Sequence, residues 1–531
     1  MKFSVTKTAK PTLSDSGGGV LAATAIIAIA LLLAHPYLNE FPAFIHAWAQ
    51  ADWYSIAIGF HNNGHDLLHP ETMIYNKQFP GTWAVDYGDT LTSADFPVHE
   101  YIVALLMHLF GSTAPWVFRG WTLLCSLAGM WMLYLLSRRI TGTTPKALLV
   151  TLVAMTSPLY AYYFAGFLPC VPALALVIAG VWAYVKYHQE KNCKYWHLAI
   201  ALLGLATLMR TSQAVSFVAV CGYELLRILR KETAWHHKWI PVLVAMVAIG
   251  GYLTWNSHLA AHHGTLFLNR LVPPRDWEEV DYILQFMREH WRHDYFSQLQ
   301  HLLVALVLVI ASVALLLRRR RCKSESGKGL TLGWLAAIWW LGELCFFVAM
   351  MRQYEDHDYY FLDSFFLPVL FTFALALGAL PQVKQRTWLT VMEILALILL
   401  AGPMFNKAKH SLQNRRNSDD RAYVCSQHFE GADRWLDSQG VSRDAKILDF
   451  MAYPQNGAFL KMGRKGYSVM WWDDYIVEHA MQFPFDYVVM ENEAYAETLT
   501  EHPTALKGLL RVAEGEVLSL FIKNDNKCIS N

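Results

Sequence analysis

The chain has 531 residues, of which 54% are hydrophobic and only 16% are charged, and it contains twenty Trp. Soluble domains usually carry about 25% charged residues, so this composition argues against an ordinary soluble enzyme. The formal net charge of +1 does not by itself identify a partner, and no nucleic-acid partner is expected. Runs of about twenty apolar residues recur along most of the length, which predicts a polytopic helical membrane protein in a lipid bilayer.

The first apolar run, at about residues 20–33, follows Lys2, Lys7 and Lys10. Positive residues remain on the cytoplasmic side of a membrane, so the N-terminus is predicted to be cytoplasmic. The run lacks a convincing small-residue cleavage site, and we interpret it as the first transmembrane helix rather than a signal peptide. Residues 46–100 then lie on the outer face.

Residues 46–100 are crowded with His, Asp, Glu, aromatic and Gly residues. Long ordered loops in compact proteins are usually functional, so this stretch predicts a folded site. The apolar segment 99–110 is too short to cross the bilayer, and we expect an amphipathic helix at the outer interface. If it crossed instead, Arg138 and Arg139 would face outwards, against the positive-inside rule.

Ten further spans are predicted at about residues 116–136, 147–164, 168–186, 196–209, 213–227, 237–255, 300–317, 331–350, 361–380 and 387–404. With these spans every basic cluster is cytoplasmic, the strongest being residues 318–321. Eleven spans place the C-terminus outside. The expected localisation is therefore a multi-pass plasma (inner) membrane, with an extracytoplasmic or periplasmic C-terminal region.

The composition of a soluble domain begins at about residue 406. Apolar runs predict strands at 446–450, 487–490 and 517–522, with helices near 432–438 and 476–481 between them. The predicted architecture is a transmembrane domain over 1–405, including an outer loop and interfacial helix at 37–110, and a small α/β domain over 406–531. The fold class is thus mainly α, with a small C-terminal α/β domain.

The eight cysteines show no metal or redox spacing. Six lie in or beside the predicted spans, where a small buried thiol is ordinary. Cys425 and Cys528 lie in the polar C-terminal region. In an oxidising compartment these two could pair, and two free thiols are an equally open alternative.

Unusual residues gather at or near the outer ends of the predicted spans: Asp52, Asp95, His99, Glu100, Arg119, Arg210, His357, Tyr359 and Tyr360. Transporters usually carry their charges near the bilayer midplane, within broken helices. A cluster at the membrane–water boundary instead suits a substrate with a lipid tail in the bilayer and a polar head outside it.

Two acidic positions are candidates for chemistry. Asp52 follows the first span, and an ionised carboxylate can accept a proton from an attacking hydroxyl or amine; a solvated acid or a helix N-cap is the structural alternative. Asp95 precedes Phe96-Pro97 and, with His99, could bind a divalent cation. It could also cap the interfacial helix, because Asp is favoured at N-caps and Pro in first turns.

Basic and aromatic residues supply a second set of candidates. Arg119 and Arg210 are suited to holding a phosphate through paired donors, although a lone Arg near a span end can simply extend towards water. Residues 355–360 form the densest titratable cluster of the chain. Its tyrosines could also belong to an interfacial aromatic belt.

Taken in order, these residues resemble the GT-C superfamily of membrane glycosyltransferases, in the branch of the lipid A aminoarabinose transferase and the dolichyl-phosphate-mannose–protein mannosyltransferases. Asp52, within residues 50–54, stands where the family has its first acidic loop residue. Residues 63–70 (NGHDLLHP) resemble the family's NG…LL.P stretch, and Asp95-Phe96-Pro97, followed by Gly111 and Arg119, resembles its second acidic motif.

The resemblance continues to about residue 405. Phe167-Leu168-Pro169 precedes the fourth span as in relatives, but Cys170 stands where many relatives have Asp, so no acidic role is assigned there. Arg210 occupies a position that is often Lys or Arg. The segment 357–360 (HDYY) resembles the family's late His-x-Tyr-Tyr motif.

The resemblance implies a donor in which a sugar is linked to a lipid phosphate, undecaprenyl phosphate if the source is bacterial. It implies that Asp52 is the general base, with Glu40 as the fallback, and that the anomeric carbon is inverted. Arg119 and Arg210 would stabilise the leaving phosphate. The acceptor, which would be a lipid, a glycan or a protein, is not identified.

The remaining family-like residues are expected to contact substrate: His357, Tyr359, Tyr360, Asp95 and Glu100. Whether a divalent cation is a cofactor is left open by the sequence, and Asp95 and His99 are the candidate ligands. A polysaccharide ligase or polymerase is a related alternative. A lipid or glycolipid transporter is an alternative of another class, and a catalytically inactive scaffold with an outer binding domain is a third.

Overall fold

In a computed structural model of the chain, the described residues are 13–76, 88–235, 238–268, 270–321, 331–380, 387–470, 474–501 and 506–524. Lys2, Lys7, Lys10 and Cys528 lie outside these ranges. The cytoplasmic N-terminus and the pairing of Cys425 with Cys528 therefore remain predictions. The Cys425 thiol itself is buried, and its sulfur accepts a hydrogen bond from the Tyr453 backbone N–H at 3.3 Å.

The described part of the chain is mostly helical. Its helices are α1 (Leu13–Ala34), α2 (Ala47–Asn62), α3 (Val98–Phe110), α4 (Pro115–Thr141), α5 (Thr144–Met155), α6 (Pro158–Tyr163), α7 (Cys170–Glu190), α8 (Cys193–Met209), α9 (Ala214–Leu229), α10 (Trp239–His263), α11 (Trp277–Phe286), α12 (Arg292–Tyr295), α13 (Gln298–Arg321), α14 (Leu332–Ala349), α15 (Gln353–Asp356), α16 (Tyr360–Asp363), α17 (Phe366–Ala379), α18 (Thr387–Asn414), α19 (Arg421–His428), α20 (Ala432–Ser438), α21 (Gln455–Met462), α22 (Asp474–Ala480) and α23 (Asn492–Glu501). The strands are β1 (Ile447–Phe450), β2 (Gly466–Val469), β3 (Tyr487–Glu491), β4 (Leu509–Glu514) and β5 (Leu518–Lys523).

The chain divides into two compact units, each built from three segments. The helical unit comprises Met1–Leu38, Arg119–Tyr252 and Arg270–Asn414. The sheet unit comprises Asn39–Phe118, Leu253–Asn269 and Arg415–Asn531. The loop after the first span thus folds together with the C-terminal segment, which a linear reading of the sequence does not suggest. The predicted boundary at residue 405 remains a prediction.

Seven helices in the described part of the chain are long and apolar enough to cross a membrane. Each predicted span coincides with a helix or with a pair of short helices. Several predicted spans that are not among these seven long helices correspond to shorter apolar helices. The mainly helical fold with a small C-terminal sheet is therefore confirmed. The count of eleven crossings and the orientation of the termini remain predictions.

Two predicted spans of the helical unit are interrupted. The third is divided into α5 and α6 at Ser157, whose hydroxyl accepts a hydrogen bond from the Tyr160 N–H at 3.2 Å and so caps α6. Pro158 lacks an N–H and suits the first turn of that helix. The tenth is divided into α16 and α17 at Ser364. Such breaks bring polar backbone and side chains into the interior of an apolar bundle.

The sheet has five strands in the order β2-β1-β3-β5-β4. Strand β1 is parallel to both β2 and β3, while β5 is antiparallel to β3 and β4. The predicted strands at 446–450, 487–490 and 517–522 are confirmed as β1, β3 and β5, and the predicted helix at 432–438 is α20. The sequence analysis missed β2 and β4, because β2 has only four residues, including Gly and Ser, and β4 is largely exposed.

Both faces of the sheet are covered by apolar side chains, since successive strand residues point to opposite faces. One face packs Ile447, Val489 and Leu520 against Phe429, Leu436 and Phe459 of the neighbouring helices. The other packs Leu448, Phe450 and Val488 against Phe483 and Phe485. The C-terminal segment is therefore a folded layer and not an unstructured tail.

The loop after α2 closes the β2 edge of this sheet. The Gly466 N–H donates to the Met73 carbonyl at 3.0 Å, and the Tyr75 N–H donates to the Gly466 carbonyl at 2.9 Å. The Asn76 amide then bonds both backbone groups of Ser468, donating to its carbonyl at 2.7 Å and accepting from its N–H at 3.0 Å. An exposed strand edge invites pairing with another chain, and these bonds remove that hazard.

We expect Asn76→Ala to lower the free energy of unfolding by about 2–4 kcal/mol, because it leaves two buried backbone groups of Ser468 without partners. Thermal unfolding of the purified protein in detergent, followed by tryptophan fluorescence, measures the change. Asn63→Ala is the matched control, since Asn63 is exposed at the end of α2. Equal melting of the two variants would contradict the edge-closing role of Asn76.

Candidate active site

Asp52 lies in a buried helix and not in an open loop. Helix α2 begins after His46, whose backbone adopts the left-handed conformation with φ 56°. The helix is buried on almost every side from Ala51 to Ala57, and Asp52 is only 1% exposed. Burying a carboxylate is costly unless hydrogen bonds compensate, so the solvated loop acid considered from the sequence is wrong for this position.

The Asp52 carboxylate is bonded to the C-terminal domain. Asn456, at the second position of α21, donates from Nδ2 to Asp52 Oδ1 at 2.8 Å. The Asn456 Oδ1 accepts the Met73 backbone N–H at 3.1 Å. The sequence analysis missed Asn456, because 404 residues separate it from Asp52 and no local spacing links the two.

Glu40, the fallback base, has a different environment. Its carboxylate forms an ion pair with Arg416, with 3.0 Å between Oε2 and Nε, and its side chain is 21% exposed. Glu40 is therefore paired with a cation, whereas Asp52 accepts a hydrogen bond from an amide. The choice of Asp52 over Glu40 as the base remains a prediction.

The predicted interfacial helix is present as α3, which ends at Gly111 with φ 59°. Leu105, Leu109 and Phe110 are exposed on it, as expected for an apolar face turned to lipid. Pro97 occupies the N-cap position, so the structure does not place Asp95 in the capping role considered from the sequence.

His99 and Glu100 are buried in the first turn of α3. Burial lowers the pKa of His99 to about 3, and the ring packs edge-on against Phe118, with 5.1 Å between centroids. Burial also raises the pKa of Glu100 to about 8, and the neighbouring Asp95 charge adds to this rise. Both Glu100 oxygens are buried without a hydrogen-bond partner. At neutral pH the His99 ring is therefore neutral, and the Glu100 carboxyl is mostly protonated.

A metal site is not evident in the described ranges, where no three His, Cys, Asp or Glu side chains are placed to hold an ion. Asp95 and His99 supply two side chains at most, and a closed protein site for a transition metal usually needs three or four. Their role as cation ligands remains a prediction.

In the helical unit, Arg210 forms a buried ion pair that the sequence analysis did not anticipate. Arg210 ends α8 with an extended backbone, φ −150°, before a short 3-10 turn at Thr211–Gln213 leads into α9. Its Nε and Nη2 donate to Asp363 Oδ2 at 2.9 and 2.6 Å. Asp363 is fully buried in α16. An acid at the start of an apolar span was the available signal, because intramembrane charges usually have a partner.

The late aromatic motif packs around this ion pair. The Arg210 guanidinium lies over the rings of Tyr359 and Tyr360, 5.6 and 5.5 Å from their centroids. The His357 ring meets Tyr359 and Tyr360 edge-on at 5.5 and 6.0 Å. Residues predicted from a family motif and an isolated arginine are thus one contiguous cluster.

Arg119 reaches the same region through the segment between α6 and α7. Its Nη1 donates to the Ala165 carbonyl at 3.0 Å, and its guanidinium lies 4.6 Å from the centre of the Phe167 ring. Two residues before Ala165, the Tyr163 hydroxyl donates to Asp358 at 2.7 Å, and its ring lies edge-on 6.0 Å from Tyr359.

Residues 163–170 therefore link the two arginines and the late motif within one unit. The segment ends at Cys170, the buried first residue of α7, which lies within electrostatic range of Arg210 and Asp363. Two guanidiniums held by carbonyl, carboxylate and aromatic partners are suited to binding a phosphate.

Comparisons with known proteins bear on the fold. Residues 94–255 match the family model of dolichyl-phosphate-mannose-protein mannosyltransferase. The structure is similar to that of ArnT from Cupriavidus metallidurans bound to undecaprenyl phosphate, with a TM-score of 0.58 and 14% identity over 95% of this chain and 98% of the other. No curated protein sequence matches the chain.

Two further solved structures share the fold. The oligosaccharyltransferase of Archaeoglobus fulgidus in complex with Zn and sulfate matches with a TM-score of 0.50 and 12% identity, over 93% of this chain and 71% of the other. The arabinofuranosyltransferase AftD from Mycobacteria matches with a TM-score of 0.51 and 12% identity, over 95% of this chain and 41% of the other.

The fold and the family match together define a class of protein. The chain has the GT-C fold of membrane glycosyltransferases, and the resemblance inferred from the sequence is confirmed. The matched family and the solved structures that share the fold are glycosyltransferases or oligosaccharyltransferases, in agreement with the predicted enzyme class. The sugar, the acceptor and the role of each residue are not determined by matches at 12–14% identity, and they belong to the proposal below.

We predict that Glu100→Gln removes part of the pH dependence of stability. The folded-state pKa of Glu100 is about 8 against an ordinary 4.5, so its contribution is present below 4.5 and is lost as the pH rises through 8. Wild type and variant should melt alike at pH 5, and the variant should be the more stable at pH 9. Thermal unfolding at both pH values measures this, with the exposed Glu516→Gln as control. Parallel pH curves for wild type and Glu100→Gln would refute it.

We predict that Asp363→Asn destabilises the protein by about 3–5 kcal/mol, because it removes the buried carboxylate that pairs with the largely covered Arg210 guanidinium. The double variant Arg210→Met with Asp363→Leu should regain much of that stability, since both charges are then gone. Thermal unfolding of the single and double variants forms the test. A double variant no more stable than Asp363→Asn would show that the ion pair does not account for the loss.

Proposed function

We propose that the protein is an integral membrane glycosyltransferase that moves a sugar from a polyprenyl-phosphate carrier, such as undecaprenyl phosphate, to a lipid, glycan or protein acceptor. The reaction takes place on the extracytoplasmic face, with the N-terminus in the cytoplasm and the sheet domain outside. The observation that supports this most is the buried Asp52 carboxylate, held by a neutral amide in a chain with the fold of ArnT.

In the proposed reaction an acceptor hydroxyl or amine attacks the anomeric carbon of the donor sugar. Asp52 takes the proton from the attacking atom as the new bond forms, and the bond between the sugar and the phosphate oxygen breaks. The electron pair of that bond leaves with the polyprenyl phosphate. A single displacement of this kind inverts the configuration at the anomeric carbon.

Negative charge grows on the leaving phosphate during this step, and preorganised cationic donors stabilise such charge most effectively in a water-poor site. We assign that role to Arg119 and Arg210. The Asp363 carboxylate keeps the Arg210 guanidinium in a defined orientation before the donor binds. The adjacent rings of Tyr359 and Tyr360, with His357, are proposed to contact the donor.

Asp95 and Glu100 are proposed to contact the polar part of a substrate. A neutral Glu100 carboxyl can donate a hydrogen bond as well as accept one, which suits a sugar hydroxyl. The proposal does not require a metal, since two guanidiniums can hold a phosphate. If a divalent cation takes part, Asp95 and His99 are its proposed ligands.

The test compares glycolipids and surface glycans by mass spectrometry in wild type, a deletion, and strains carrying only Asp52→Asn or Asp66→Asn. We expect the deletion and Asp52→Asn to lose one sugar-sized mass, since removing a general base costs about 10²–10⁴-fold in rate. Asp66→Asn is the matched control, because Asp66 is an exposed acid of the same outer segment.

The other outcomes separate the alternatives. A loss in the deletion with a normal pattern in Asp52→Asn would leave the transfer intact and exclude Asp52 as the base. Loss of a whole glycan chain would favour a ligase or polymerase. An unchanged covalent pattern, with a lipid retained on one leaflet, would favour a transporter and refute the proposed reaction.

A further inference from the structure

Asn456 joins three separate parts of the sheet unit at Asp52. It lies at the start of α21, is completely buried, and contacts Asp52 on α2 and the backbone of Met73 in the segment that closes the sheet edge. Helix α21 packs directly on α2. No family motif in the sequence includes this residue.

The orientation of the Asn456 amide is determined by its neighbours. An amide side chain has one end that accepts and one that donates. The Met73 backbone N–H can only donate, so the end facing it must be Oδ1. The opposite end, Nδ2, is then obliged to donate an N–H to Asp52 Oδ1 at 2.8 Å.

This arrangement discriminates between the two protonation states of Asp52. A carboxylate only accepts hydrogen bonds, so an N–H aimed at its oxygen favours the ionised form. The ionised form is the one that can remove a proton. The same bond restricts rotation of the carboxylate, because Asn456 is itself held by a backbone group.

We propose that Asn456 is the positioning residue of the base: it keeps the Asp52 carboxylate ionised and oriented for proton abstraction from the acceptor. The inference rests on the proposed function and adds a role for the C-terminal domain in it. That domain carries the group that prepares the base, although the base itself belongs to the outer segment after the first helix.

Other titratable groups surround α2 and contribute to any pH profile. On α3 these groups are His99, Glu100, Tyr101 and His108. The loop after α2 contributes Glu71, and α21 with the residues just before it contributes Lys461 and Tyr453. Among them Tyr453 interacts electrostatically with Asp52, and its pKa is raised chiefly by burial. All of them are retained in the Asn456→Ala variant, which adds no charge, so the difference between its pH profile and that of the wild type reports on the amide.

The experiment measures transfer in permeabilised membranes, using the sugar-bearing lipid fraction extracted from the deletion strain as donor. Initial rates are followed between pH 5.5 and 8.5 as the sugar mass appears on the acceptor. For Asn456→Ala we expect kcat to fall about 10–100-fold, with the KM for the lipid donor unchanged. The acid limb of the pH–rate profile should move up by roughly one pH unit, because the carboxylate loses a donor that favours its charged form.

Asn456→Asp is the second variant, because it keeps the size and shape of the side chain. It replaces the N–H donor by a second carboxylate, which repels Asp52 when ionised and donates an O–H when protonated. We expect activity to be lowest at pH 8.5 and to recover partly towards pH 5.5, the reverse of Asn456→Ala.

Asn492→Ala is the structural control. Asn492 lies in the same domain, and its amide bonds the backbone of Gly515 and Glu516 and the hydroxyl of Ser519. We expect this variant to lower thermal stability while leaving the pH–rate profile unchanged.

The outcomes separate this inference from the proposed function. If Asp52→Asn abolishes transfer while both Asn456 variants keep the wild-type rate and profile, the positioning role is refuted and the base stands. A uniform fall in rate for both variants, without movement of the acid limb, would reduce Asn456 to a structural residue and also refute the proposal. If transfer does not depend on Asp52 at all, the proposed function fails and this inference fails with it.

Discussion

The hydrogen bond between Asn456 and Asp52 connects the C-terminal segment of the sheet unit to helix α2. A carboxylate that is 1% exposed must be solvated by the protein, and the donor comes from a helix 404 residues away in sequence. The chain therefore has to bring the segment after its first helix and its last domain together. Asn76 and Met73 complete that connection by attaching the same segment to the edge of the sheet.

In the helical unit, too, a charge that is removed from water is compensated by protein groups, but here the charge is that of a cation. Arg210 cannot remain alone in an apolar bundle, and Asp363 neutralises it while aromatic rings cover its faces. Both residues lie where a helix stops, at the end of α8 and within the short α16. The two side chains can meet because each lies at a point where its helix ends.

Much of this could be predicted from the sequence, because the signals are local. Apolar runs identified the long helices and placed several of their ends within a few positions. Strands β1, β3 and β5 have apolar runs, whereas β2 and β4 do not stand out. The individual candidates Asp52, Arg119 and Arg210 could be named from their places beside spans. Their partners Asn456 and Asp363 could not, because hydrogen bonds across 404 and 153 residues leave no periodicity behind.

The interpretation of residues 46–100 shows where composition misleads. A run of polar and aromatic residues indicated a site, but it did not reveal that α2 inside the run is a buried helix. Its polar residues are few and its small residues, such as Ala51 and Ala57, allow close packing on all sides. A helix of this kind has a weak amphipathic pattern, because it does not have one polar face turned to solvent.

The most direct test of the account is whether the protein recognises a polyprenyl lipid through its phosphate. Purified wild-type protein in lipid nanodiscs would be titrated with polyprenyl phosphate and with the uncharged polyprenol of equal length, and binding followed by native mass spectrometry. We expect the protein to prefer the phosphate by about tenfold or more, with the preference reduced in Arg119→Gln and retained in Asp52→Asn. Equal binding of the phosphate and the alcohol would contradict it.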